Sequence, residues 1–331
     1  NKAMPKFGGP AIIIGFLVSS IYLLITSSIE GNINIFGPEN YIGKLLGFLG
    51  GILMLSTFCF FDDIKGIHPL VKLLGQTIAA AIVVASGIRI DNLNIPFFEG
   101  NIVIGNVFSI ILTMGWIVGI TNAINLIDGL DGLSTGISII SCISLLIIFA
   151  LNGSPLVAII LITALIGALS GFLPFNFNPA KTFIGDIGSN FIGFALSIVS
   201  ILGVAKTYTA VVIVLPVIVL GVPIFDTLWA IVRRLKKGKS LKAIVSADNG
   251  HLHHKLVYKG FSQKQAVLIL YGISAAFGIF AVILFDSGIW KALSFLLMVI
   301  VAVALGYKNF EHEKLENARF ECLECKYIYN P

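Results

Sequence analysis

Charged residues are scarce in this sequence. Asp, Glu, Lys and Arg make up 12% of its 331 residues, about half of the roughly 25% that soluble domains carry. With 57% of its residues hydrophobic, the chain has too little polar surface for a soluble globular domain, which we exclude. The formal net charge of +5 gives no indication of a nucleic-acid partner.

Cysteine is rare as well. Of four cysteines, Cys59 and Cys142 lie in apolar stretches and are predicted to be packing residues, whereas Cys322 and Cys325 lie near the C-terminus. This distribution implies no disulfide framework. The chain opens at Asn1 without a Met or a signal peptide, so we expect a leading segment to be absent.

Long apolar blocks, by contrast, are abundant. A block of about twenty helical residues spans a hydrocarbon core about 30 Å thick, and its backbone satisfies its own hydrogen bonds in lipid. The sequence therefore predicts an all-α, polytopic membrane helix bundle with ten transmembrane helices. The blocks are roughly 10–28, 43–61, 70–88, 102–120, 133–150, 156–172, 190–204, 208–225, 265–285 and 289–307.

The Lys and Arg residues predict the orientation. If the N-terminus of a ten-span chain is cytoplasmic, 18 of the 22 Lys and Arg residues lie on the cytoplasmic side. Only Lys44, Arg89, Lys206 and Lys291 lie outside. The positive-inside rule therefore predicts a cell-membrane protein with both visible termini in the cytoplasm.

Aspartate gathers on this inner side. Seven of the nine Asp residues fall there, whereas all eight Glu residues lie in predicted outer loops or in the tail. An ionised group at an apolar helix end is costly and by default functional, and short carboxylates suit hard cations. The sequence therefore predicts a site at the inner surface. The seven are Asp62, Asp63, Asp128, Asp131, Asp186, Asp226 and Asp248.

Two inner segments carry closely spaced polar residues. Adjacent Asp62 and Asp63 repel each other, which raises the pKa of one unless a cation neutralises them; a solvated helix end with Lys65 as counter-charge remains an alternative. In the second segment, polar residues recur every three positions, which places them near one another on a helix. They are Asn122, Asn125, Asp128 and Asp131.

Two further segments complete the pattern. Residues 176–189 hold Asn176, Phe183 and a Gly-Asp186-x-Gly-Ser turn, a set suited to a base, a sugar and a metal-bound diphosphate. The long basic loop 233–264 holds three histidines, which fit a diphosphate-binding role. A zinc site remains an alternative, although zinc usually has a fourth ligand. These histidines are His251, His253 and His254.

Together with Pro5-Lys-Phe-Gly-Gly9 and Phe61-Asp-Asp-Ile-Lys65, these segments resemble a known family. It is the polyprenyl-phosphate N-acetylhexosamine-1-phosphate transferases (glycosyltransferase family 4), of the WecA/TagO type rather than the MraY type. The resemblance runs to about residue 260. Two blocks follow the His loop, as in the eleven-helix WecA/TagO type, so ten visible helices imply that the first is missing.

The resemblance implies roles for single residues. Asp62, Asp63, Asp128 and Asp131 match catalytic positions, and Asp186 matches the ligand of a Mg²⁺ ion, for which Mn²⁺ is a substitute. Substrate-binding positions are matched by Lys72, Asn122, Asn125, Asn176, Phe183, His251, His253 and His254. Asn249 stands where this subgroup usually has Arg, which leaves the exact amino sugar open.

The reaction implied is attack of polyprenyl (undecaprenyl) phosphate on a UDP-N-acetylhexosamine, with GlcNAc-1-phosphate the favoured group and UMP released. It would open the synthesis of a cell-envelope glycopolymer such as lipopolysaccharide or teichoic acid. We favour direct displacement over a phospho-Asp intermediate. A phospho-MurNAc-pentapeptide transferase and a transporter are the alternatives, and a homodimer is left open.

The last 21 residues, 311–331, form a cytoplasmic tail outside the transferase domain, 1–310. Cys322 and Cys325 resemble the first half of a rubredoxin-type knuckle, with Lys326 where that knuckle has Gly. Two thiolates cannot make the closed four-thiolate site, so we expect a metal-free, mobile tail unless two chains each donate a pair.

Overall fold

The computed structural model describes residues 5–34, 39–93, 102–103, 105–204, 210–238 and 251–300. Its helices are α1 Gly8–Ile29, α2 Tyr41–Lys65, α3 Pro69–Ala85, α4 Asn106–Ile127, α5 Leu133–Asn152, α6 Leu156–Asn176, α7 Gly185–Val204, α8 Ala210–Val219, α9 Gly221–Gly238, α10 Leu252–Tyr258, α11 Gln263–Ser287 and α12 Ile289–Ile300. Strands β1 Asn92–Leu93 and β2 Ile102–Val103 form a short antiparallel pair. The predicted helical membrane architecture is confirmed.

In the part of the chain that the structure describes, seven helices are long and apolar enough to cross a membrane, namely α1, α2, α4, α5, α6, α7 and α11. The chain is therefore a multi-pass membrane protein. The apolar helices α3 and α12 are shorter, and the block predicted at 289–307 runs beyond the described residues. The count of ten spans thus stays a prediction. The tail with Cys322 and Cys325, and the loop residues Asp248 and Asn249, also lie outside the described residues.

Two predictions about the region after α7 are wrong. The block 208–225, expected as one span, is divided between α8 and α9, which meet at Leu220. Pro223 in the first turn of α9 lacks the N–H that would bond the carbonyl of Val219 and crowds the preceding turn, and Gly221 beside the break is a weak helix former. The stretch 233–264, expected as one loop, holds the end of α9 and all of α10.

Helix α7 lies at the centre of the bundle. Every residue from Ile187 to Gly203 is buried, and α7 contacts α1, α2, α4, α5 and α6. Glycines permit this close packing: a Cβ on Gly193 would lie 2.7 Å from the Cα of Thr121 in α4, and one on Gly188 would lie 2.8 Å from the Cα of Gly9 in α1. The N-terminus of α7 is thereby held among the ends of its neighbours.

Candidate active site

The C-terminal ends of α2 and α4 meet the N-terminal ends of α3 and α7 on one side of the bundle. A cavity of about 400 Å³ opens there. Six of the predicted site residues line it, namely Asn125, Asp128, Asp131, Asn176, Phe183 and Asp186. Asp63 and Lys72 do not line it but contact Asp186, which does. Asp62 and Asn122 lie one contact further away, bonded to Lys72 and to Gln76.

Asp63 caps helix α7. Its Oδ1 accepts from the backbone N–H of Asp186 at 3.2 Å, and its Oδ2 accepts from that of Ile187 at 3.1 Å. The first N–H groups of a helix have no partner within it and carry a partial positive charge, so an acceptor carboxylate stabilises this end. Gly185 has φ +70°, and a Cβ there would lie 3.0 Å from Asp63 Oδ2. Glycine therefore suits the close approach of Asp63.

Lys72 is shared by two carboxylates. Its Nζ lies 3.0 Å from Asp62 Oδ2 and also contacts Asp186 Oδ1. Asp62 Oδ1 in addition accepts from the backbone N–H of Ile67 at 2.9 Å. A single ammonium group thus offsets the charge of two acids that belong to different helices. With 15% of its side chain exposed, Lys72 has little freedom to reach a further anion.

Behind the cavity lies an amide network that the sequence did not predict. Gln76 donates to Asn190 Oδ1 at 2.7 Å and exchanges hydrogen bonds with Asn122. Asn125 Oδ1 accepts from Asn190 Nδ2 at 3.2 Å and from Ser189 Oγ at 2.8 Å. The network ties α3, α4 and α7 together. A buried Gln one turn after Lys72 in an apolar helix was the available signal, since such groups need partners.

Asp128 follows the last residue of α4. Its Oδ1 accepts a hydrogen bond from Ser134 Oγ at 2.6 Å. Burial raises the pKa of Asp128 to about 7, with smaller contributions from the negative charges of Asp186 and Asp63, while the Ser134 bond acts in the opposite direction. This carboxyl therefore keeps its proton mainly because it is buried, and the two neighbouring acids add to the effect.

Asp131 and Asn176 shape one wall of the cavity. Asp131 Oδ2 accepts from Asn178 Nδ2 at 3.0 Å and from the backbone N–H of Ala180 at 3.2 Å. Asn176 accepts from Thr135 Oγ1 at 2.9 Å and donates to the carbonyl of Thr182 at 3.2 Å. Both side chains hold the turn between α6 and α7 in place.

The three histidines lie at the start of helix α10, beside α9: His251 directly precedes α10, and His253 and His254 lie in its first turn. His251 Nδ1 lies 2.7 Å from Asp226 Oδ2, and Asp226 Oδ1 accepts from the backbone N–H of Leu252 at 2.9 Å. Asp226 is 1% exposed and His251 is 5% exposed. The sequence placed Asp226 on the inner side but gave it no role. The pairing was hidden because 25 residues separate the two side chains.

His253 is 1% exposed, and among the described residues neither of its ring nitrogens has a hydrogen-bond partner. Burial, and then the neighbouring His254, lower the pKa of His253 to about 4, so it is neutral at pH 7. A Cβ on Gly129 would lie 2.2 Å from His253 Nε2, which places this histidine directly against the cavity wall. His254 packs on it, with ring centroids 4.2 Å apart.

The donor set of the cavity fits a magnesium ion. Among the described residues, no three His, Cys, Asp or Glu side chains converge as a metal-binding group. Mg²⁺ does not need such a cage, because it binds through one or two carboxylates, retained water and substrate phosphates. Asp186 and Asp128 line the cavity together, so two carboxyl groups are available to such an ion.

The fold and the site define a multi-pass membrane protein with an acidic cavity at the ends of its central helices. Residues 45–204 match the model of glycosyl transferase family 4. The chain is 39% identical over 305 residues to a probable undecaprenyl-phosphate N-acetylglucosaminyl 1-phosphate transferase of Bacillus subtilis, covering 91% of this chain and 79% of that protein. The chain belongs to glycosyl transferase family 4, and the predicted resemblance is confirmed.

Two other relatives bear on the subgroup. A decaprenyl-phosphate N-acetylglucosaminephosphotransferase of Mycolicibacterium smegmatis is 36% identical over 309 residues, which cover 86% of this chain and 73% of that protein. A phospho-N-acetylmuramoyl-pentapeptide-transferase of Streptococcus thermophilus is 33% identical over only 208 residues, 60% of this chain and 58% of that one. The similarity is therefore more extensive to the N-acetylglucosamine transferases.

Proposed function

We propose that this enzyme transfers GlcNAc-1-phosphate from UDP-GlcNAc to polyprenyl phosphate, releasing UMP, as the first membrane step of a cell-envelope glycopolymer. The observation that carries the proposal is the single cavity that brings together Asn125, Asp128 and Asp186 from segments far apart in the chain. The relatives named N-acetylglucosamine transferases, which match over most of the chain, support GlcNAc over the pentapeptide-bearing sugar.

Asp186 would hold a Mg²⁺ ion, with the carboxylate of Asp128 beside it in the cavity; Mn²⁺ would substitute. When bound, the cation screens the charges of the diphosphate and stabilises the leaving group. The N-terminal end of α7, which carries Asp186, adds the partial positive charge of its helix dipole.

The bond that forms joins an oxygen of the lipid phosphate to the β-phosphorus of the donor, and the bond that breaks joins this phosphorus to the bridging oxygen of UMP. A phosphate monoester has its second pKa near 6, so at pH 7 it needs little help from a base. Asp63 uses both oxygens to cap α7, and Asp62 is paired with Lys72. These contacts favour positioning roles over a covalent phospho-Asp.

The wall of the cavity formed by the turn between α6 and α7 suits the nucleotide. Phe183 lines the cavity and offers a ring face for stacking on uracil. Asn176, whose amide is already bonded at both ends, would support this wall rather than contact the base. Neutral His253, pressed against Gly129, would offer a ring nitrogen to the sugar or to a phosphate.

The cavity would face the cytoplasm, where UDP-sugars are made, in the cell membrane. This orientation is supported by the excess of Lys and Arg in the segments on the side of the cavity. The homodimer stays a prediction.

Purified enzyme in lipid nanodiscs tests the proposal. With polyprenyl phosphate and Mg²⁺, we expect UMP release and a labelled lipid from UDP-GlcNAc, with much slower reaction of UDP-GalNAc and UDP-MurNAc-pentapeptide. The matched control is Asp186→Asn in the same nanodiscs. Reaction with the pentapeptide donor alone would assign the enzyme to the other subgroup, and no UMP from any donor would revive the transporter alternative.

A further inference from the structure

The segment Pro5–Lys6–Phe7–Gly8 has no role in the function as proposed so far. The carbonyl of Pro5 accepts from the backbone N–H of Phe183 at 3.0 Å and from Thr182 Oγ1 at 2.9 Å, and the N–H of Gly8 donates to the carbonyl of Phe183 at 3.1 Å. The segment therefore runs along residues 182–183 and is fixed to the wall of the cavity by backbone hydrogen bonds.

Two glycines fix this segment further. A Cβ on Gly8 would lie 2.3 Å from the ring of Phe172, and one on Gly9 would lie 2.5 Å from the backbone nitrogen of Gly188. Approaches this close leave no room for a side chain at either position. The backbone of Lys6 is therefore held at a defined point on the rim, two residues before α1 begins.

The side chain of Lys6 lines the cavity. Its Nζ lies 3.5 Å from Asp63 Oδ1, and 55% of the side chain is exposed. Among the described residues that line the cavity, Lys6 is the one Lys or Arg, while Asp128, Asp131 and Asp186 line it as acids. Lys72, in contrast, is enclosed between two carboxylates.

We propose that Lys6 binds a phosphate oxygen of a substrate, an inference that rests on the proposed function. An exposed ion pair of 3.5 Å is weak, and Asp63 already accepts two backbone N–H groups. The ammonium group is therefore free to exchange Asp63 for a phosphate, with which it forms a stronger charge-assisted hydrogen bond. A cavity lined by three acids otherwise repels the anionic substrates.

The phosphate could belong to the UDP-sugar or to the lipid, which present the same chemistry. Steady-state kinetics of Lys6→Gln, with each substrate varied in turn at saturating Mg²⁺, distinguishes the two. We expect a rise of roughly tenfold or more in the KM of one substrate, with a much smaller change in kcat. Lys6→Arg, which keeps the charge, should restore most of the affinity.

The matched control is Lys44→Gln. Lys44 lies near the start of α2, at the opposite end of the helix from Asp62 and Asp63, and lines a different cavity. The Lys44→Gln substitution should leave both KM values unchanged. A Lys6→Gln enzyme with both KM values like those of the wild type overturns the proposal, and so does equal loss of affinity in Lys6→Gln and Lys6→Arg.

Failure of the proposed function has a different signature, because wild-type enzyme would then release no UMP from any donor. In that case, thermal stabilisation by UDP-GlcNAc and by polyprenyl phosphate, measured separately, still decides the role of Lys6. Weaker stabilisation of Lys6→Gln than of wild type by either compound supports phosphate binding. If each compound stabilises Lys6→Gln as much as it stabilises the wild type, the proposal is contradicted.

Discussion

Asp63 and Asp186 are joined through the backbone: the carboxylate of Asp63, at the end of α2, accepts the N–H of Asp186 in the first turn of α7 at 3.2 Å. The adjacent Asp62 faces a different partner, the ammonium group of Lys72 at 3.0 Å. Two adjacent Asp residues thus have different structural roles: one caps a helix and the other pairs with a lysine.

We expect Asp62→Asn and Asp63→Asn to differ in stability. An Asn at position 63 retains one acceptor and turns an NH₂ group toward the second N–H of α7, which should cost about 1 kcal/mol, as the loss of one hydrogen bond does. Asp62→Asn should lower activity with less effect on the unfolding temperature. Thermal unfolding of both variants in detergent, beside a turnover assay, checks this. Equal unfolding temperatures would contradict the capping role.

Asp186→Asn should abolish turnover at every Mg²⁺ concentration while the protein stays folded. The amide retains a similar shape but loses the charge that would hold the cation and that pairs with Lys72. Asp286→Asn, at the exposed end of α11, is the control and should be active. If Asp186→Asn regains turnover at high Mg²⁺ concentration, Asp186 contributes only to the affinity for Mg²⁺.

Asp128 should make stability depend on pH. The folded protein holds this proton up to a pKa of about 7, whereas a free Asp releases it near 3.8. The stabilisation of the folded protein by this bound proton is therefore fully present below pH 3.8 and is lost as pH rises toward 7. With a chelator present, the unfolding temperature of Asp128→Asn should rise relative to that of the wild type as the pH increases from 5 to 8. A constant difference over this range would show that the pKa of Asp128 is not raised.

Asp226 should act through His251. With Asp at position 226, the His251 proton sits on Nδ1; in Asp226→Asn the amide can donate to Nδ1, so the proton moves to Nε2. We expect the ¹⁵N shifts of this ring to report the change of tautomer and activity to fall. In a His251→Ala background, Asp226→Asn should cause little further loss of activity. Additive losses would indicate that Asp226 acts independently of His251.

The sequence predicted the acids of the site because ionised groups at apolar helix ends are conspicuous. Asp128 and Asp186, which the pattern placed at inner helix ends, line one cavity in the structure. It did not predict the partners of these acids, since the contact between Asp63 and Asp186 spans 123 residues. Neither hydrophobic periodicity nor local spacing carries information about such distant pairs.

The same reason applies to the partners of Lys72. Its place in the first turn of the apolar helix α3 gave no indication that two carboxylates from other helices would enclose it. The division between α8 and α9 was missed for a local reason, because an apolar block of sufficient length was counted as one span although Pro223 lies within it. Hydropathy records length and apolarity, but not the continuity of the hydrogen-bond ladder.

The contact between Pro5 and Thr182 has a consequence for biosynthesis. The two residues are 177 positions apart, and ribosomes add about 5–20 residues per second. The first residues of the chain therefore wait roughly 10 to 35 seconds before their partners have been made. During this interval the rim of the cavity is incomplete, because the N-terminal segment has no residues 182–183 to bind. The nascent enzyme should consequently acquire nucleotide-sugar binding only late in its insertion, after most of its helices are already in the membrane.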